Sequence, residues 1–130
     1  MVEEEEESVV GAIKTFDPAK EYFFAEGCFI TELSNSADDP QVSIARARLE
    51  PGKKTRWHYL RDTAERYVLQ DGSGLVEVGE LPARQVAAGD VVVIPPGVRQ
   101  RIYNTGACDL VFLAICSPRF REECYVDVED

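Results

Sequence analysis

The sequence predicts an all-β domain built as a sandwich or barrel. Helical periodicity is almost absent, whereas short apolar or alternating runs recur at nearly even spacing along the chain. Each run ends at Gly, Pro, Asn or Asp, the residue types that form turns. A chain of 130 residues with 45% hydrophobic residues has room for one ordinary core. We therefore expect a single all-β domain.

Ten strands are predicted from these runs: Val9–Phe16, Cys28–Leu33, Val42–Glu50, Thr55–Leu60, Glu65–Gln70, Gly74–Val78, Arg84–Ala87, Val91–Ile94, Arg99–Asn104 and Leu110–Cys116. Between the fifth and sixth strands, Asp71 is followed by Gly72, with Gly74 close by. Such glycines supply the positive φ angles of a tight turn, so this segment predicts a hairpin.

Charge and cysteine content narrow the class of protein. A net charge of −10 disfavours nucleic acid, which is itself a polyanion. The glutamate run predicts an acidic, disordered tail over residues 1–8, which leaves 9–130 for the domain and a C-terminal extension. No apolar run is long enough to span a membrane, and the N-terminus lacks a secretory pattern. Together with four widely spaced cysteines, these features predict a cytoplasmic protein with free thiols.

The segment from Gly52 to Gly72 holds the chain's only histidine, His58, and a carboxylate, Glu65, seven residues later. On neighbouring strands, a histidine and a glutamate at this distance can share a metal ion. Leu60 lies two residues after His58, so it shares the same strand face, yet it cannot ligate a metal.

Two ordered motifs in this region resemble those of the cupin family. The first places Gly52, His58, Leu60, Glu65 and Gly72 at the family's spacing, and the second does so with Gly89, Pro95, Gly97, Gln100 and Asn104. The family pattern has histidine at the positions of Leu60 and Gln100, and the chain departs from it there. The resemblance implies a double-stranded β-helix, the jelly-roll barrel.

The same resemblance implies a reduced metal site in the barrel mouth. His58, Glu65 and Gln100 should converge there and hold one divalent ion loosely, zinc, nickel, iron or manganese. Glu65 or Tyr67 would move a proton as catalytic residues. The alternatives from the residues themselves are a half-buried imidazole satisfied by Glu65 or Tyr67, a tyrosine that only packs, and a glutamine that only forms hydrogen bonds.

Four residues are candidates for binding the substrate: Arg56, Leu60, Gln100 and Ile102. Leu60 would make one wall of the pocket apolar. If Arg56 points inward, its guanidinium could hold an anionic substrate by a bidentate contact. Otherwise it is a solvated residue at a strand end.

Two functions remain open at this stage. The first is a metal-dependent small-molecule enzyme, of isomerase, dioxygenase or decarboxylase type. The second is a metal-free cupin that binds a small ligand without catalysis, and a structural or regulatory role is a weaker third. Small cupins are commonly homodimers, and the apolar strands at Val9–Val10 or Leu110–Ile115 could supply an edge for pairing.

Overall fold

The computed structural model describes residues 8–129, which form two facing β-sheets. Two short 3₁₀ turns, Pro18–Lys20 and Glu122–Cys124, flank the sheet region. The described residues contain these strands: β1 (Tyr22–Phe23), β2 (Phe29–Ser34), β3 (Ser43–Leu49), β4 (His58–Leu60), β5 (Ala64–Asp71), β6 (Ser73–Val78), β7 (Arg84–Ala87), β8 (Val91–Ile94), β9 (Gln100–Asn104), β10 (Leu110–Ser117) and β11 (Tyr125–Asp127). The predicted acidic tail lies outside the described residues except for Ser8.

One sheet has six strands in the order β1-β2-β3-β10-β5-β8, and the other has five in the order β11-β4-β9-β6-β7. Neighbouring strands run antiparallel throughout. This arrangement is the jelly roll that the two motifs imply, so the predicted fold class is confirmed. No helix among residues 8–129 is long and apolar enough to cross a membrane.

Nine of the ten predicted strands are confirmed, with small shifts at their ends. The prediction of a strand at Val9–Phe16 is wrong. Apolar residues recur there, but no neighbouring strand pairs with them, and Val9, Val10 and Ile13 are exposed. This segment instead crosses the surface, where the Val10 amide donates to the Asp38 carbonyl at 2.9 Å.

The predicted hairpin is also wrong, although its turn is present. β5 and β6 belong to different sheets and share no hydrogen-bonded register. At the turn, Gly72 has a φ of 85°, and a Cβ atom there would lie 2.8 Å from the Asp109 carbonyl oxygen. The close approach and the positive φ require glycine, and they let the chain pass from one sheet to the other.

The C-terminal extension returns to the domain as β11. It pairs with β4, and the Val128 amide beyond it donates to the Trp57 carbonyl at 2.9 Å. Arg56 and Asp127 add an ion pair of 2.6 Å between the same two segments. The extension therefore lies beside His58, which begins β4.

The core lies between the sheets, and the residues of β3 explain why it is incompletely filled. Arg46 and Arg48 point outward, and Arg48 donates to Glu21 at 2.8 and 2.9 Å. Ala45 and Ala47 occupy the inner face of the same strand. Because alanine side chains are small, they leave space between the sheets at this position.

The edge strand available for a dimer differs from the one expected from the sequence. β10 pairs on both sides, with β3 and β5, so Leu110–Ile115 is not at an edge. The edge strand β8 instead exposes Val91 by 57% and Val93 by 60%. Exposed apolar side chains on an unpaired edge favour association with another chain.

We propose a symmetric dimer that buries β8 and predict its loss in a charged variant. Val93→Lys should shift the particle from twice 14.5 kDa to 14.5 kDa in light scattering at micromolar concentration. Ile13→Lys, which adds the same charge at a residue 93% exposed, should leave the dimer intact. A wild-type protein that is monomeric under these conditions would contradict the proposal.

Candidate functional site

A cavity of about 40 Å³ lies between the sheets where β3 carries its alanines. That volume holds about three water molecules. Its walls include apolar side chains from both sheets and the segments beside them: Phe24, Ile30, Ala45, Ala47, Leu60, Phe112, Ala114 and Phe120. The polar groups that reach it come from Tyr22, Glu26, Glu32, Ser43, Glu65, Tyr67 and Cys116. An apolar pocket with a few polar groups is the usual form of a small-molecule site.

A buried hydrogen-bond chain crosses from one sheet to the other beside this cavity. The Tyr67 hydroxyl donates to Gln100 Oε1, and Gln100 Nε2 donates to Glu65 Oε1 at 2.6 Å. Glu65 and Tyr67 lie on β5, whereas Gln100 lies on β9 of the opposite sheet. The alternation along these strands turns all three side chains inward, as the sequence predicts.

Glu65 keeps its proton at neutral pH in this setting. Burial raises its pKa to about 8, and the negative charge of Glu26 adds to this effect, while hydrogen bonds from Gln100 and Cys116 oppose it. Since Oε1 accepts the Gln100 amide, the proton belongs on Oε2, which lies 3.8 Å from the Cys116 thiol. The carboxyl group is thus a neutral donor on the cavity wall.

His58 is held with one nitrogen fixed and the other directed at a carboxylate. Its Nδ1 lies 2.6 Å from the Arg56 carbonyl oxygen, which can only accept, so Nδ1 carries a proton. Its Nε2 lies 3.3 Å from Glu26 Oε1, and the ring is 1% exposed. The Tyr125 ring covers it, with ring centroids 5.1 Å apart.

Glu26 is the residue of this site that the sequence analysis missed. It lies in the turn between β1 and β2, outside both motifs, and the Cys28 thiol donates to its Oε2 at 2.9 Å. Its neighbour Gly27 has a φ of 112°, which bends the chain back towards β2. An acidic residue before a turn glycine is too common to indicate a site without the fold.

The predicted metal ligands do not form a ligand cluster as they are arranged. Gln100 gives its oxygen to the Tyr67 hydroxyl and its amide to Glu65, while His58 faces Glu26. Among residues 8–129, no three His, Cys, Asp or Glu side chains are grouped so that they could hold a metal ion. The donor set therefore does not fit a metal centre in this conformation.

The other predicted site residues fall in three different places. Leu60 lines the cavity and makes part of its wall apolar. Ile102 is fully buried in the core on β9 and is not part of that wall. Arg56 points outward to Asp127, away from the cavity, because β11 supplies a carboxylate on the outer side. The catalytic and binding roles of these residues stay predictions.

Comparison with known protein families assigns the chain to a class. Residues 45–116 match the family described as "Cupin domain", which is more than half of the sequence. With both motifs and the jelly roll in place, the chain belongs to the cupin family. A comparison with curated protein sequences finds no significant match.

Solved structures similar to this chain share its fold at low sequence identity. KdgF from Halomonas sp. is 16% identical, with a TM-score of 0.75 over 88% of this chain and 98% of that one. Pac13 from Streptomyces, a nucleoside dehydratase, is 18% identical, with a TM-score of 0.73 over 91% and 92%. Oxalate decarboxylase from Lactobacillus farciminis is 23% identical, with a TM-score of 0.71 over 84% of this chain and 33% of that one. Cupin structures similar to this one therefore include enzymes.

Glu65→Gln should change how stability depends on pH. The folded protein keeps the Glu65 proton to a pH of about 8, whereas the unfolded chain loses it near the usual 4.5. The folded state therefore binds more protons between these values, and this residue makes the free energy of unfolding fall as pH rises through the window, by at most about 1.4 kcal/mol per pH unit.

Glutamine keeps the acceptor for Gln100 but cannot ionise, so the variant should lose this part of the slope and gain stability at pH 8. Urea unfolding between pH 5 and 8 measures the effect. Glu80→Gln, at an exposed position, is the control and should keep the wild-type slope. Identical slopes in all three proteins would show that Glu65 ionises normally.

Zinc should bind weakly, because Glu65 and Gln100 are joined by hydrogen bonds and only His58 Nε2, which faces the Glu26 carboxylate, is left to bind it. Calorimetry in a Cys108→Ser background avoids the exposed thiol of that residue. Binding needs the unprotonated ring nitrogen of His58, so His58→Ala should abolish it. Leu60→His combined with Gln100→His restores the family pattern and should tighten binding. Equal uptake by the parent and His58→Ala would place any zinc site elsewhere.

Proposed function

We propose that this cupin is a small-molecule enzyme that works by acid–base catalysis between two carboxyl groups. One observation carries the proposal: Glu65 is a buried carboxyl group with a pKa of about 8, and it shares a cavity with a second glutamate, Glu26. Two titratable groups in one pocket with different surroundings are the usual arrangement of a general acid and a general base.

Glu65 serves as the general acid. It is protonated at neutral pH, and the Gln100 amide fixes the orientation of its carboxyl group through Oε1. Tyr67 in turn fixes Gln100, and burial holds the pKa of Tyr67 well above its ordinary value, so its hydroxyl stays a donor. In this role Tyr67 is a positioning residue, and Glu65 Oε2 is the atom that gives up a proton.

Glu26 and His58 form the basic side of the pair. The proton on His58 Nδ1 is committed to the Arg56 carbonyl, so Nε2 is the nitrogen that exchanges a proton with Glu26 at 3.3 Å. Glu26 lines the cavity, whereas His58 stands behind it. A proton taken from the substrate by Glu26 can therefore be shared with the imidazole.

This pair supports elimination of water or an isomerisation by proton transfer. In the elimination, Glu26 removes a proton from carbon and a carbon–carbon double bond forms. The bond from the neighbouring carbon to its hydroxyl breaks, and Glu65 protonates the departing hydroxyl to give water. The Pac13 structure is described as that of a nucleoside dehydratase, which supports this reaction class. No step of this scheme passes through a metal.

The alternative is a cupin that binds a small ligand without catalysis. The observation that favours it is the aromatic cluster at one side of the cavity, where Phe24 contacts both Phe120 and Tyr125 edge to face. A packed aromatic wall can retain a ligand without turning it over. Either function uses a small molecule, and the two differ only in whether Glu65 and Glu26 move protons.

Deuterium exchange tests the catalytic proposal. The protein is incubated in deuterated buffer with a panel of β-hydroxy carbonyl compounds, whose carbonyl group acidifies the neighbouring C–H bond, and mass spectrometry measures deuterium gain and water loss. Water loss should fall by about 100-fold or more in Glu65→Gln, because this is the usual contribution of a general acid and Glu65 protonates the departing hydroxyl. It should also decline as pH rises through about 8, where Glu65 loses its proton.

Glu80→Gln controls for the loss of one negative charge at an exposed position and should keep full activity. Water loss that is equal in Glu65→Gln and the wild type would contradict the assignment of the acid. Compounds that bind in the cavity but never exchange would support the ligand-binding alternative.

A further inference from the structure

The cavity wall carries acidic side chains and no lysine or arginine among residues 8–129. The acidic side chains are those of Glu26, Glu32 and Glu65. Burial raises the pKa of Glu32, and the opposing effects come only from hydrogen bonds with Asn35 and Tyr22. No cationic side chain lowers the pKa of Glu65 either. A carboxylate in a low-dielectric site is costly without a positive partner, so this cavity disfavours anions.

Aromatic rings supply a second, independent preference for positive charge. Tyr22, Phe24, Phe112 and Phe120 all line the cavity. The face of an aromatic ring carries partial negative charge and attracts ammonium groups within about 6 Å. Phe24 and Phe120 meet edge to face with centroids 6.1 Å apart, so two of these rings form one corner of the wall.

The rim adds a carboxylate that a ligand can reach from solvent. Glu32 on β2 is exposed, and the Tyr22 hydroxyl donates to its Oε2 at 3.4 Å. Glu26 stands deeper, with 13% of its side chain exposed. A cation that enters past Glu32 therefore meets carboxylates at the rim and further inside.

We propose that the cavity selects a small organic ammonium ion as its ligand or substrate. The proposal rests on the proposed function only in taking this cavity as the ligand site. The free volume of about 40 Å³ corresponds to about three waters, so the group that enters has about three to five non-hydrogen atoms. The ammonium group is held by carboxylate and aromatic faces, and its carbon chain lies against Ala45 and Ala114.

Three probes of similar shape and different charge test the inference. Isopropylammonium, 2-propanol and acetate, each with four non-hydrogen atoms, are titrated at constant ionic strength, and NMR follows the methyl signals of Ala45 and Ala114, which line the cavity. Isopropylammonium should bind at millimolar concentration, at least about tenfold more tightly than 2-propanol, because one charge interaction is worth about 1.4 kcal/mol or more here. Acetate should cause no shift. Equal affinity for the ammonium ion and the alcohol would overturn the proposal.

Two variants that each remove one negative charge show whether the preference for ammonium arises at the cavity. Glu32→Gln should weaken isopropylammonium several-fold and leave 2-propanol unchanged. Glu80→Gln removes the same charge from an exposed site outside the cavity lining and should leave both unchanged. If the two variants lose affinity equally, the preference comes from the net charge of −10 and the cavity does not select the cation.

The result of the ammonium-binding test can be distinguished from the result of the test of acid–base catalysis. Loss of ammonium selectivity with water loss that still depends on Glu65 would reject the ligand class and keep the enzyme. Selective ammonium binding with no exchange in any compound would keep the ligand class and reject the enzyme.

Discussion

The hydrogen bond between Gln100 and Glu65 is the interaction on which the site depends, because it joins the two sheets at their polar centre. Without a partner from β9, the carboxyl group on β5 would be buried against apolar side chains at a cost of several kcal/mol. With it, the same carboxyl group becomes an oriented donor that keeps its proton. Tyr67 completes the chain by holding the glutamine oxygen, so one network fixes both the spacing of the sheets and the direction of a reactive atom.

The sequence was sufficient to predict most of this framework. The alternation in β5 and β9 already turns Glu65, Tyr67 and Gln100 inward, and the motif spacing brings those strands face to face. What it could not show is how the three groups satisfy one another. A glutamine in place of the family histidine is compatible with a metal ligand or with a hydrogen-bonding role, and only the position of the Tyr67 hydroxyl separates these alternatives.

The wrong sequence-based predictions share one physical cause. Each feature depends on contacts between distant parts of the chain. Val9–Phe16 is as apolar as a strand but has no neighbour with which to pair. The glycine-rich turn at Gly72 has the composition of a hairpin, yet close approach to Asp109 sends the next strand into the other sheet. Glu26 belongs to the site because the turn between β1 and β2 faces the cavity. Local sequence patterns carry no information about which turn will do so.

Both ends of the described chain contribute to the cavity region, and the central motifs contribute the chain of Glu65, Gln100 and Tyr67. Tyr22 and Phe24 come from the segment before β2, whereas Phe120 and Tyr125 come from the segment after β10. Glu65, Tyr67 and Gln100 lie on strands between these ends, and within residues 8–129 their side chains bond only to one another and to Cys116. The protein is in this respect modular: substitution of the terminal aromatic rings can exchange what the pocket admits, while the acidic half of the site keeps its hydrogen bonds.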